Sequence, residues 1–150
     1  MSTEFKKTVI ACKGIGGQGK TTALKKLYER IKEKYPKMSP QTFLIDKNGD
    51  IKVIFTIQGV KIGFETQGDP SSRITGSIDD FVNEGCELIV CACRTKGETY
   101  NKLFEIDPPV YRRIEAPNFI CDQENLYDML NDLYADSLLQ MIDKILNGSL

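Results

Sequence analysis

The chain contains no histidine. That removes catalytic dyads and triads built on an imidazole base. Its five cysteines, Cys12, Cys86, Cys91, Cys93 and Cys121, are odd in number and form no Cys-x-x-Cys pair. Neither a disulfide framework nor a zinc site is indicated by that pattern. Cys12, Cys91 and Cys93 lie in apolar runs, where a thiol serves as a small core side chain. No apolar run approaches the roughly 20 residues of a membrane span. Residues 1–7 lack the apolar core of a secretory signal, so a cytoplasmic location is expected. The formal net charge is −1, so no overall field draws the chain to nucleic acid or to a membrane surface. There is no internal repeat and no low-complexity segment. A length of 150 residues suits a single domain, 1–150, with its own core.

What the chain does have is Gly14-Ile15-Gly16-Gly17-Gln18-Gly19-Lys20-Thr21. This matches Gly-x4-Gly-Lys-[Ser/Thr], a pattern in which glycines let backbone N–H groups point at phosphate oxygens. The apolar run 8–12 before it reads as a buried strand. Residues 22–35 after it read as a helix, with Ala23, Leu24, Leu27, Tyr28 and Ile31 near 3.6-residue spacing. A helix placed there offers its positive end to the same anion. The stretch resembles the phosphate-binding loop of P-loop nucleoside triphosphatases over residues 8–31. That resemblance implies nucleotide held by Gly14 to Lys20 with Thr21 and Thr22. It also implies Lys20 on the β- and γ-phosphates and the Thr21 hydroxyl on Mg²⁺. The loop is similar as well to those of partitioning ATPases and nitrogenase reductases, and of certain signalling ATPases. The first group carries a Lys where this chain has Ile15, and the second has further helical domains that 150 residues cannot hold.

Further along, strands are expected at 42–46, 51–57 and 60–66. Lys47-Asn48-Gly49-Asp50 joins the first two, Gln58-Gly59 joins the next two, and together they form an antiparallel meander. Residues 67–76 read as a loop. Ser77 reads as the cap of a helix over 78–84, with Asp80 in the capping-box position and Gly85 ending it. The near-continuous apolar run within 87–94 suits a parallel strand covered on both faces. A helix at 98–105, a strand at 110–115 with an extension over 118–121, and a long helix from Asp122 to about Leu146 complete the expectation. Leu126, Met129, Leu130, Leu133, Leu138, Ile142 and Ile145 form the apolar stripe of that last helix. It either packs on the sheet or carries a protein partner.

The acid expected to serve Mg²⁺ is Glu65, at the end of the strand through Phe64, with Asp69 as the alternative. Glu65-Thr66-Gln67-Gly68-Asp69 resembles the Asp-x-x-Gly switch segment of G proteins, with Glu in place of Asp. Being longer, Glu65 would act through water or activate it. Thr95-Lys96-Gly97-Glu98 resembles the guanine-reading [Asn/Thr]-Lys-x-Asp motif, but only one strand separates it from the switch segment instead of two. Guanine specificity is therefore not supported, and ATP is preferred with GTP left open. Arg94 follows a buried strand at the edge where ligands of open α/β sheets gather. A guanidinium there can stabilise charge on a transferring phosphoryl group. Arg73 is similarly placed.

The expected fold is three-layer α/β of the P-loop kind, its sheet mostly parallel with an antiparallel hairpin at one edge. In the G-protein-like arrangement, the strand of Phe64 lies beside that of Ile10. The expected function is Mg²⁺-dependent nucleotide hydrolysis or switching, with Lys20, Glu65 and Arg94 as its catalytic groups. The alternatives are a small-molecule or nucleotide kinase, with Arg73 and Arg94 holding the acceptor, and a nucleotide-binding module without turnover.

Overall fold

A computed structural model of the chain describes residues 5–13, 20–45, 49–67, 74–93, 111–119 and 121–150. In chain order its elements are β1 (Thr8–Lys13), α1 (Lys20–Lys34), β2 (Ser39–Ile45), β3 (Ile51–Ile57) and β4 (Val60–Glu65). There follow α2 (Ile74–Asn83), β5 (Leu88–Cys93), β6 (Arg112–Pro117) and α3 (Tyr127–Leu146), the last preceded by a 3-10 turn at Glu124–Leu126. The six strands form one mixed sheet in the order β2-β3-β4-β5-β1-β6. β4, β5, β1 and β6 run parallel, and β2 and β3 add an antiparallel hairpin at one edge.

The two apolar runs become the two inner strands. Every residue of β5 is buried, as is every residue of β1 except Lys13. Such strands need a neighbour on both edges and a cover on both faces. β5 finds its neighbours in β4 and β1, so the expected pairing of the Phe64 strand with the Ile10 strand does not occur. The reason is connectivity. The two-residue turn at Gln58-Gly59 fixes β3 on one edge of β4, and the ten-residue helix α2 returns the chain to its other edge.

The turns are legible in backbone angles. Gln58 and Gly59 have φ of 51° and 83°, the paired positive values of a type I′ hairpin turn. Gly85, at φ 77°, ends α2 as expected. Its N–H bonds the Val82 carbonyl at 3.1 Å, and the Cys86 N–H bonds the Phe81 carbonyl at 2.9 Å. That double bond pattern is the Schellman motif, and Phe81 and Cys86 pack together in its hydrophobic contact. β2 begins earlier than expected and takes in Pro40, which an edge strand tolerates; the register shifts between Pro40 and Thr42. α2 also starts earlier, at Ile74, so Ser77 sits inside the helix instead of capping it. Asp122 does not cap α3, whose N-cap is Leu126 with no side-chain cap bond. The strand expected at 110–115 is found two residues later, as β6, and the helix expected at 98–105 lies outside the described residues.

Alternation along the strands sorts the core into two layers. On one face, α1 brings Ala23, Leu24, Leu27, Tyr28 and Ile31, and α3 brings Tyr134, Ala135, Leu138, Ile142 and Ile145, against Ile10, Phe55, Phe64 and Val90. On the other, α2 brings Ile78 and Phe81 against Val9, Ile54, Ile89 and Cys91. Each large apolar side chain so buried contributes about 1.5–3 kcal/mol. Among the described residues, no helix is long and apolar enough to cross a membrane.

α1 and α3 meet along an ionic seam. Lys26 faces Asp128 and Asp132 at 3.2 and 3.0 Å, and Arg30 faces Asp132 and Asp136 at 3.0 and 2.8 Å. Lys34 and the Tyr35 hydroxyl both reach Asp143. The bond from Lys26, with Arg30 beside it, lowers the pKa of the Asp132 carboxyl. A carboxyl lowered in the folded state stabilises above its unfolded value, near 3.9, and that contribution is lost as pH falls through the folded value. Asp132→Asn should therefore melt below the parent at pH 7. The gap should close as pH falls below about 4 and narrow in added salt, both read from thermal melts.

Candidate functional site

Parallel strands put their carboxyl ends on one edge. The ends of three of them stand level, since Lys13 pairs with Cys93 of β5 and with Pro117 of β6. Glu65 of β4 pairs with Cys91 and so lies two residues below that line. Chain direction reverses at this edge. From β1 the chain leaves through α1 toward β2, and from β5 it passes to β6 on the far side of β1. Ligands of open α/β sheets bind outside the strand ends where the connections diverge in this way.

The sequence-expected residues fall around that point. Gly14, Ile15, Gly16, Gly17, Gln18 and Gly19 connect β1 to α1 and lie outside the described residues. Lys20 and Thr21 open α1, though their side chains are outside the described part; Thr22 is exposed on the first turn. That turn carries no acidic side chain, so the positive end of the helix keeps its charge for another anion. α3, by contrast, has Asp128 in its first turn. Arg94 follows Cys93 directly, and Cys93 stands opposite Lys13. Arg94, Asp69, Arg73 and Thr95 to Glu98 all lie outside the described residues.

Glu65 is described in full. It ends β4, is 0% exposed, and turns toward the α2 face of the sheet. The Ser77 hydroxyl donates to its Oε1 at 2.6 Å, and the Gln67 N–H donates to Oε2 at 3.2 Å. The next residue is pinned as well. Thr66 Oγ1 donates to Asp50 at 2.7 Å and accepts the Ile51 N–H at 3.0 Å, which ties the end of β4 to the start of β3.

Gly63 explains how a helix comes close enough for a serine to reach this carboxylate. A Cβ at Gly63 would stand 2.4 Å from the Phe81 ring, so only glycine admits the ring there. Two contacts then repeat along one line. Gly63 to Glu65 is two strand residues, about 6.6 Å, and Phe81 back to Ser77 is four helix residues, about 6 Å. The matched spacing sets Ser77 over Glu65 once Phe81 is seated on Gly63. Sequence reading missed both Ser77 and Gly63; the signal was a glycine inside an apolar strand, which marks close approach of a neighbour.

The other reactive or charged groups considered are structural. Lys13 pairs with Glu115 of β6 at 3.5 Å. The Tyr134 hydroxyl donates to the Ala116 carbonyl and its ring lies 5.5 Å from Phe119, which fastens α3 to the end of β6; burial raises its pKa far above the usual value. Burial holds the Cys91 thiol well above its usual pKa and pushes Cys86 up to about 12, so neither supplies a thiolate. Among the described residues, no group of three or more His, Cys, Asp or Glu gathers to hold a metal.

Compared with known proteins, the chain matches no family model, no curated protein and no solved structure.

The fit at Gly63 carries an expectation. Gly63→Ala should cost about 1–3 kcal/mol in urea unfolding, the usual range for an overpacked core. Phe81→Ala should cost less in that chain than in the parent, because it removes the Cγ and Cδ atoms that collide.

Proposed function

We propose that this protein is a Mg²⁺-dependent P-loop nucleoside triphosphatase, with ATP preferred and GTP left open. The observation that carries the reading is the place of the glycine-rich loop. It runs from the end of the buried strand β1 to the first turn of α1, at the reversal of the sheet's connections. Backbone N–H groups of Gly14 to Gly19 cradle the phosphates, and the acid-free start of α1 adds its dipole. Lys20 brings positive charge to the β- and γ-phosphates. When bound, Mg²⁺ would be held by Thr21 and by Glu65, directly or through water, and would neutralise charge on the phosphate oxygens. Glu65 orients the attacking water, whose oxygen bonds the γ-phosphorus as the bond to the β-phosphate oxygen breaks. Arg94, which follows Cys93 directly in the chain, stabilises the charge that builds up on the γ-phosphoryl group. The products are nucleoside diphosphate and inorganic phosphate. All five cysteines remain thiols, which suits the reducing cytoplasm.

One observation favours a switch over a simple hydrolase. α3 turns only part of its apolar stripe inward. Leu138, Ile142 and Ile145 are buried, but Leu126, Met129 and Leu133 are 38%, 63% and 50% exposed. Leu126 ends the 3-10 turn, and Met129 and Leu133 lie in the first two turns of α3, at the carboxyl edge of the sheet. A protein partner docked on them would lie at the same edge as the nucleotide.

Two measurements decide the reading. Titration of ATP with Mg²⁺ should show binding by the parent and much weaker binding by Lys20→Ala at unchanged melting temperature; equal affinity would remove the central claim. For scale, a ligand at a hundredfold excess over its dissociation constant adds about 2.7 kcal/mol of stability. Glu65→Gln should keep nucleotide affinity and slow phosphate release about tenfold or more. Unchanged release would move the role to Asp69.

A further inference from the structure

Ser77 is placed oddly for a helical serine. Inside a helix, a serine hydroxyl commonly bonds a carbonyl of its own preceding turn. This one leaves its helix and donates to Glu65 Oε1 at 2.6 Å, at a position where donor and acceptor are 1% and 0% exposed. The bond spans two elements whose separation is already fixed by Phe81 on Gly63. Lys52 of β3 reaches Asp80 on the outer side of α2, and the Lys61 ammonium bonds the Glu84 carbonyl at 3.0 Å near its end. α2 is thus seated on β3 and β4 along its length, and Ser77 is the group it presents to the carboxylate.

We infer that Ser77 is a positioning residue for the hydrolytic site. It holds Glu65 by one oxygen, and the Gln67 N–H holds the other, so the carboxylate sits in one orientation at the end of β4. The inference rests on the triphosphatase reading and deepens it, because it assigns the setting of Glu65 to a helix that touches no phosphate in that scheme. Ser77→Ala leaves a buried carboxylate short of one donor and gives Glu65 a choice of rotamers.

The test is steady-state hydrolysis of Mg²⁺-ATP by the full chain as parent, Ser77→Ala, Ser77→Thr, Glu65→Gln and the Ser77→Ala, Glu65→Gln double variant. Each is assayed below its own melting temperature. Ser77→Ala should lower kcat about tenfold or more with KM unchanged, the scale seen when a group orienting a ligand is lost. Ser77→Thr should restore most of the rate, since it keeps the hydroxyl. The double variant should be no slower than Glu65→Gln alone, because residues acting as a unit are not additive. A Ser77→Ala chain that only melts earlier, with kcat per folded molecule intact, overturns the proposal, as does a double variant slower by the product of the two single effects. Failure of the underlying reading shows elsewhere. If the parent binds no ATP, or binds it equally well as Lys20→Ala, the triphosphatase assignment falls and takes this inference with it. If the parent binds ATP without turnover, the Mg²⁺ concentration for half-maximal ATP affinity decides: a shift in Ser77→Ala supports the positioning role, and no shift ends it.

Discussion

Two strands without a polar face, β1 and β5, set the terms for the rest of the molecule. Their backbone groups need partners on both edges, and their side chains need cover on both sides. β4 and β6 meet the first demand. α1 and α3 meet the second on one face, and α2 meets it on the other. Because a parallel pair requires a crossover, each chain exit from these strands falls on the same edge. The glycine-rich loop, the buried glutamate and the residue after Cys93 share that edge as a result. The candidate site is thus a by-product of burying two apolar runs.

Much of this was legible because it is local. The runs Thr8 to Cys12 and Leu88 to Cys93 announce buried strands by composition, and Gln58-Gly59 announces its turn by the positive φ it needs. Gly85 announces a helix end for the same reason. Pairing order was not legible, because nothing in the Phe64 strand says whether it takes β1 or β5 as its neighbour. Periodicity likewise marked α3 as a helix without saying which of its apolar residues face inward. That helix has three faces instead of two: a core side, an acidic side against α1, and the exposed apolar residues at its start. Its real beginning is a 3-10 turn, so Asp122 lost the capping role that its residue type suggested.

At the site, the motif was visible and its support was not. Lys20 and Thr21 belong to a linear pattern, and Glu65 to a strand end. Ser77 looked like a cap because serine favours caps, and only the earlier start of α2 frees it for another use. Gly63 looked like a weak spot in a strand. In three dimensions it is the place where a phenyl ring lies on the backbone. Such pairings join residues far apart in the chain, and no window along the sequence contains both members.

The seam between α1 and α3 has a property that its charge count hides. Lys26 straddles Asp128 and Asp132, and Arg30 straddles Asp132 and Asp136, so successive cations share an acid. Both rows repeat every four residues. Sliding one helix past the other by a single turn, about 5.4 Å, offers each of these cations another carboxylate at the next rung. This part of the seam supplies adhesion but is nearly indifferent to register. Register comes instead from contacts that do not repeat: Lys34 and the Tyr35 hydroxyl on Asp143, and Ala135 and Leu138 in their places in the core. The two helices are therefore glued by one set of residues and indexed by another.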